Sequence, residues 1–171
     1  MTFFPDQRGF SLIELIVVIV VLGILGAAGA LGLKQVLDGY TLAQANSGST
    51  QKAQNALDRI TIELSHITFN SGSSCYNISA GTASSITYTA NFGGADESGT
   101  IINLSGTQVL LKNFPLTDGV AANGLQFSYL DGNGNPVGAT DANMRLIDIA
   151  LMVQVTSTAT RTYTARVALQ K

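Results

Sequence analysis

Charge is scarce in this chain. Only 12% of its 171 residues are charged, the formal net charge is −2, and Lys and Arg form no cluster. Binding to nucleic acid through phosphate neutralisation has no electrostatic footprint here, so no nucleic-acid partner is expected. Cysteine is nearly absent. Cys75 alone cannot form an intramolecular disulfide, and no Cys/His set has zinc spacing, so stability must come from packing. Cys75 reads as a small half-buried residue, with an intermolecular disulfide as the weaker alternative. Histidine is equally rare: a Ser–His–Asp or Cys–His hydrolase would have to use His66, and no nucleophile elbow accompanies it. A helix-face or sheet-contact role suits His66 better, and no enzyme is expected.

What the chain has in quantity is apolar sequence, and much of its 46% hydrophobic content lies before residue 34. The lead-in Arg8-Gly9-Phe10-Ser11-Leu12-Ile13-Glu14 opens onto residues 15–33, which carry no charge and are about long enough to cross the hydrocarbon core of a bilayer. Glu14 therefore sits at the start of a membrane-length run, where an ionisable group is costly and needs a partner. A secretory signal peptide cut after Ala30 fits the small-x-small form of Ala28-Gly29-Ala30. It accounts for neither the length of the run nor the acid. A plain membrane anchor explains the length and leaves Glu14 without purpose.

A third reading accounts for the short lead-in, the Gly-Phe junction, the acid and the long run together. The segment resembles the class III signal of the type IV pilin and type II secretion pseudopilin superfamily. The resemblance implies that a prepilin peptidase cuts between Gly9 and Phe10 and N-methylates Phe10, making Glu14 the fifth residue of the mature chain. A carboxylate about one turn from a free amino terminus lies near the positive end of the helix macrodipole, and near the ammonium that cleavage creates at Phe10. In a packed array Glu14 can instead meet the ammonium of a neighbouring subunit, where low dielectric penalises an unpaired acid and favours one axial register. The residues leave both pairings open. The implied partners are other pilin or pseudopilin subunits, the peptidase and an inner-membrane assembly platform, with membrane lipid around the run before assembly and no cofactor. The implied location is a single pass of the bacterial inner membrane with a periplasmic head, then a periplasmic or cell-surface filament.

Residues 1–9 form the leader, and 10–70 read as one helix, with 10–33 as its transmembrane and assembly part. Gly23, Gly26, Gly29 and Gly32 recur at every third position; small residues permit close helix approach in membranes but lower helix propensity in water. In the amphipathic part, 34–70, the pattern of Val36, Leu37 and Tyr40 weakens at Asn46-Ser47-Gly48-Ser49-Thr50. It returns as Ala53, Leu57, Ile60, Leu64 and Ile67 on one face. Lys52, Asp58, Arg59 and Glu63 fall off that stripe and read as a solvated face, with Arg59 and Glu63 spaced to pair. Residues 71–171 change to period two between Gly, Ser and Asn clusters. Candidate strands hold Ile86, Tyr88, Ala90 and Phe92; residues 100–104 and 108–112; Leu125, Phe127 and Tyr129; Ile147, Ile149, Leu151, Val153 and Val155; and Tyr163, Ala165, Val167 and Leu169. Strands after one helix, without βα alternation, predict an α+β fold whose antiparallel sheet packs on the apolar stripe.

The superfamily has the same order. Within it, Ala56-Leu57-Asp58-Arg59-Ile60-Thr61-Ile62-Glu63-Leu64 looks like the helix of J-type minor pseudopilins and W-type minor pilins. So does Leu125-Gln126-Phe127-Ser128-Tyr129-Leu130-Asp131-Gly132-Asn133-Gly134. This implies a minor subunit near a filament tip that initiates assembly. The chain lacks the cysteine pair that bounds a variable loop in major pilins. The alternative from another class is a membrane-anchored periplasmic binding module that does not polymerise.

One further pattern concerns metal. Asp131, Asn133 and Asn135 alternate as in the first part of an EF-hand loop. Pro136 stands where that loop needs Gly, Ala142 where it needs a bidentate Glu, and Asp141 lies off the spacing. Asp-Gly and Asn-Gly steps also suit a tight hairpin, which is the favoured reading, so calcium is the weaker candidate and no metal is expected. Asn77-Ile78-Ser79 and Asn103-Leu104-Ser105 match a glycosylation sequon that is frequent by chance and carry no weight.

Overall fold

The computed structural model describes residues 11–156 and 159–170. The chain divides into two compact units, one ending at Gln44 and one starting at Ala45. Among the described residues, helix α1 (Leu12–Ser65) is followed by ten strands. β1 (Phe69–Asn70) pairs with β2 (Cys75–Tyr76). β3 (Ile78–Gly81), β4 (Ser85–Ala90), β5 (Glu97–Ser105), β6 (Gln108–Leu111) and β7 (Phe114–Thr117) form an antiparallel meander in chain order. β8 (Val120–Asp131), β9 (Met144–Gln154) and β10 (Thr160–Ala168) form a second antiparallel meander. The fold is the expected α+β arrangement, with its strands divided among separate sheets where the sequence suggested one.

The core of the second unit is built on the predicted stripe. Ala53, Leu57, Ile60 and Leu64 are buried in one cluster with Ile86, Tyr88 and Ile102 of the five-stranded sheet and Leu125, Ile147, Ile149, Leu151 and Val153 of the three-stranded one. Alternation explains the strands: along β9 every second residue from Ile147 to Val153 is buried, as a half-covered sheet requires. Side chains as fully buried as Ile60 and Leu64 contribute on the order of 1.5–3 kcal/mol each relative to exposure.

Several boundaries differ from the sequence reading. The helix ends at Ser65 and not near residue 70, because Ile67 pairs with Ala90 and the Thr68 N–H donates to the Thr89 carbonyl at 3.0 Å. Sheet pairing with β4 thus takes β-branched residues that helix periodicity had claimed. The weak stretch at residues 46–50 is continuous helix. The Thr50 hydroxyl bonds the Asn46 carbonyl and the Tyr163 phenol, both at 2.8 Å, so a contact from β10 supports helix that propensity alone leaves weak. Phe92 leaves the alternation because Asn91 folds the chain, its Oδ1 accepting the Gly93 N–H at 2.7 Å. β7 has no counterpart among the expected strands; Lys112 and Asn113, with φ of 51° and 67°, make the turn that leads into it.

Glu63 requires the largest correction. It is only 1% exposed, not solvated. Its Oε1 accepts from Arg59 at 2.6 Å, the i,i+4 pair expected, and its Oε2 accepts the Tyr88 hydroxyl at 3.4 Å. Burial and the neighbouring carboxylate both push the Tyr88 phenol upward from its ordinary range. Tyr88 comes from β4, so the position of this acid is set by a strand far along the chain. Replacing Tyr88→Phe removes a donor from a buried carboxylate and is expected to lower unfolding free energy by about 1–3 kcal/mol in denaturant titration, while Ile60→Ala should cost about 2–5 kcal/mol by opening a cavity.

Candidate assembly segment at the start of the helix

Gly9 and Phe10 lie outside the described residues. Ser11 caps α1: its Oγ accepts the Glu14 N–H at 3.3 Å, and its carbonyl accepts the Leu15 N–H at 3.2 Å. Ser11 and Glu14 thus have the Ser-x-x-Glu spacing of a capping box, a signal present in the sequence that the apolar run obscured. Glu14 stands in the first turn and is exposed, on the side of the helix dipole that favours negative charge.

Beyond it the helix is apolar on every side. Leu15, Ile16, Val17 and Ile19 are all large and exposed, and the helix is long and apolar enough to cross a membrane. Residues 12–33 rise about 33 Å at ~1.5 Å per residue, close to the ~30 Å of a bilayer core. A Cβ added at Gly23, Gly26, Gly29 or Gly32 would meet nothing within 4 Å, so these positions are open. Such a surface can be satisfied by lipid or by other apolar helices; it holds no group able to do chemistry except Glu14.

The remaining candidates all lie in the second unit. His66 stacks on Phe92 with ring centroids 4.5 Å apart. Its Nδ1 lies 2.8 Å from the Ile62 carbonyl, which can only accept, so Nδ1 carries the proton and cannot act as a base toward the neighbouring Ser65 hydroxyl. Cys75 is half-buried, as expected, with its sulfur 3.0 Å from the Ser73 hydroxyl. Among the described residues no group of three or more His, Cys, Asp or Glu side chains could hold a metal ion.

Asp131 closes its own turn. Its Oδ1 accepts the Asn133 and Asn135 N–H groups at 2.8 Å each, and its Oδ2 accepts the Asn135 amide at 3.0 Å. The side-chain bond from Asn135, followed by the backbone N–H groups, holds the Asp131 carboxyl below its usual range. Asp131, Asn133 and Asn135 are therefore together, with the carboxylate engaged by the turn itself. The turn folds Pro136 back onto Leu130, and the chain continues to Met144 before β9 begins.

Two other carboxyls are lowered by cations. Arg166 forms a two-pronged pair with Asp148 at 2.6 and 2.7 Å, and the Lys52 ammonium lies 2.7 Å from Asp118. Burial pushes the Tyr129 phenol up to about 12.

Residues 5–30 match the family model described as the prokaryotic N-terminal methylation motif, a span that includes Gly9, Phe10 and Glu14. No curated protein and no solved structure matches the chain. The motif supports the type IV pilin and pseudopilin class: a membrane-anchored structural subunit, processed by prepilin peptidase and assembling with other pilins.

The lowered carboxyls fix the direction of pH dependence. Asp118, Asp131 and Asp148 bind protons less readily folded than unfolded, so their stabilisation is complete from about pH 5 upward and is lost as pH falls through their folded values. Thermal melts are expected to shift downward below about pH 5, and Asp148→Asn should flatten that shift.

Proposed function

We propose that this chain is a minor pilin or pseudopilin, inserted in the bacterial inner membrane as a precursor with a periplasmic head, cut between Gly9 and Phe10, and built into a filament through its N-terminal helix. The observation that carries this reading is the position of Glu14. It lies in the first helical turn, immediately ahead of a membrane-length apolar surface and inside the matched methylation motif.

The mechanism follows from charge in a low-dielectric setting. Cleavage at Phe10 creates an ammonium within about one turn of Glu14, and methylation of Phe10 adds no countercharge of its own. As the helix leaves lipid for a bundle of like helices, Glu14 must keep a cationic partner or pay several kcal/mol of desolvation. Pairing with the ammonium of the adjacent subunit satisfies both groups at one axial offset, so the ion pair selects the register while the surrounding apolar contacts supply adhesion. The resemblance of residues 56–64 and 125–134 to J-type minor pseudopilins and W-type minor pilins supports a place near the tip, where the subunit initiates assembly on the inner-membrane platform.

Mass spectrometry of the mature protein is expected to find an N-methylated Phe10 as the first residue, and Gly9→Val should retain the leader. Glu14→Ala should leave cleavage intact and reduce incorporation into filaments by an order of magnitude or more. Normal incorporation of Glu14→Ala would overturn the assembly role of Glu14, whereas absence of the wild-type chain from filaments would favour an anchored periplasmic binding module that does not polymerise.

A further inference from the structure

We propose that β10 is a docking edge, which takes an extended segment of a partner protein carrying a carboxylate as an added β-strand. The two larger sheets have four edges between them, and three are blocked. β3 is only four residues long and its register shifts between Ile78 and Ala80. β7 contains Pro115 and also pairs through a register shift. β8 is covered by its own chain: the Phe127 N–H donates to the Ala83 carbonyl at 2.7 Å, the Tyr129 carbonyl accepts from Val137 at 2.9 Å, and the Asp131 N–H donates to the Asn135 carbonyl at 2.9 Å. Short strands, bulges, proline and covering loops are the devices by which proteins protect sheet edges. β10 uses none of them. It pairs with β9 over nine residues without a shift, and it contains neither proline nor lysine.

The register identifies the exposed backbone groups. The Leu169 N–H donates to the Arg145 carbonyl at 2.9 Å, and continuing that pairing turns the polar groups of Val167, Ala165, Tyr163 and Arg161 toward β9. Those of Thr162, Thr164 and Arg166 then point away from the sheet, and among the described residues they meet no other backbone. A row of alternating N–H and C=O groups at strand spacing is complementary to another extended backbone. The side chains of Thr160, Thr162 and Thr164 are exposed and of a type that favours strand pairing.

Charge selects the occupant. β10 contains two arginines and no acid. Arg166 is already paired with Asp148, whereas Arg161 is exposed and has no carboxylate partner among the described residues. A second copy of β10 would bring more arginine and no countercharge. A strand with Asp or Glu opposite Arg161 supplies the missing cross-strand pair.

The test is amide hydrogen exchange on the full-length protein in detergent micelles, with a Thr/Val-rich probe peptide of about ten residues, long enough for one strand, carrying a single central Glu or, as control, Lys. Exchange at Thr162, Thr164 and Arg166 should slow by about tenfold with the Glu peptide and much less with the Lys peptide, while Tyr163, Ala165 and Val167 are protected throughout. Thr164→Pro removes one outward N–H without touching the β9 ladder, so it should abolish the added protection at an unchanged melting temperature. Arg161→Ala should weaken the Glu peptide by up to about fivefold. The proposal is overturned by an absence of slowing with the Glu peptide or by equal slowing with both peptides. It is equally overturned by slowing that rises with protein concentration alone, which would make the occupant a second copy.

Discussion

An apolar helix surface must be covered, and most of this protein's organisation follows from what is available to cover each stretch of α1. From Ala53 to Leu64 the cover is internal: two antiparallel sheets supply Ile, Leu, Val and Tyr side chains that exclude water from one face. From Leu15 to Leu33 the side chains are apolar all round and exposed, so lipid or other helices must do the same work. The change in amphipathicity along one helix therefore separates a part that folds from a part that inserts and assembles.

That division was legible in the sequence because both halves rely on periodicity, the strongest signal a single chain carries. The i, i+3, i+4 stripe and the alternation in β4, β8 and β9 arise from the geometry of helix and strand themselves. Features set by contacts distant in sequence were not legible. Glu63 reads as solvated because it falls off the apolar stripe of its helix, and only Tyr88 and the sheet around it make the site buried. The division of the strands into separate sheets likewise depends on which edges meet, and the early end of the helix depends on competition from β4.

The two ends of the candidate assembly site illustrate the same limit at shorter range. Glu14 stood out in the sequence because an acid in an apolar run violates an expectation. Ser11 did not, because a serine before a helix violates nothing; its role appears once its hydroxyl is seen to take the Glu14 amide. The serine satisfies the backbone of the residue whose side chain must remain available. The local cap and the long-range function are thus carried by different atoms of one short segment.

The bond between Thr50 and Tyr163 joins residues 113 positions apart, and the same separation shapes how the molecule comes into being. Residues 53–64 bury their stripe partly against β9, which in turn is bordered by β10. Chain collapse around such distant partners pays a large loop-closure entropy before any contact rewards it, and domains built this way fold slowly. The head cannot reach its final packing until β10 has been synthesised and brought to the same side of any membrane as the amphipathic half of α1.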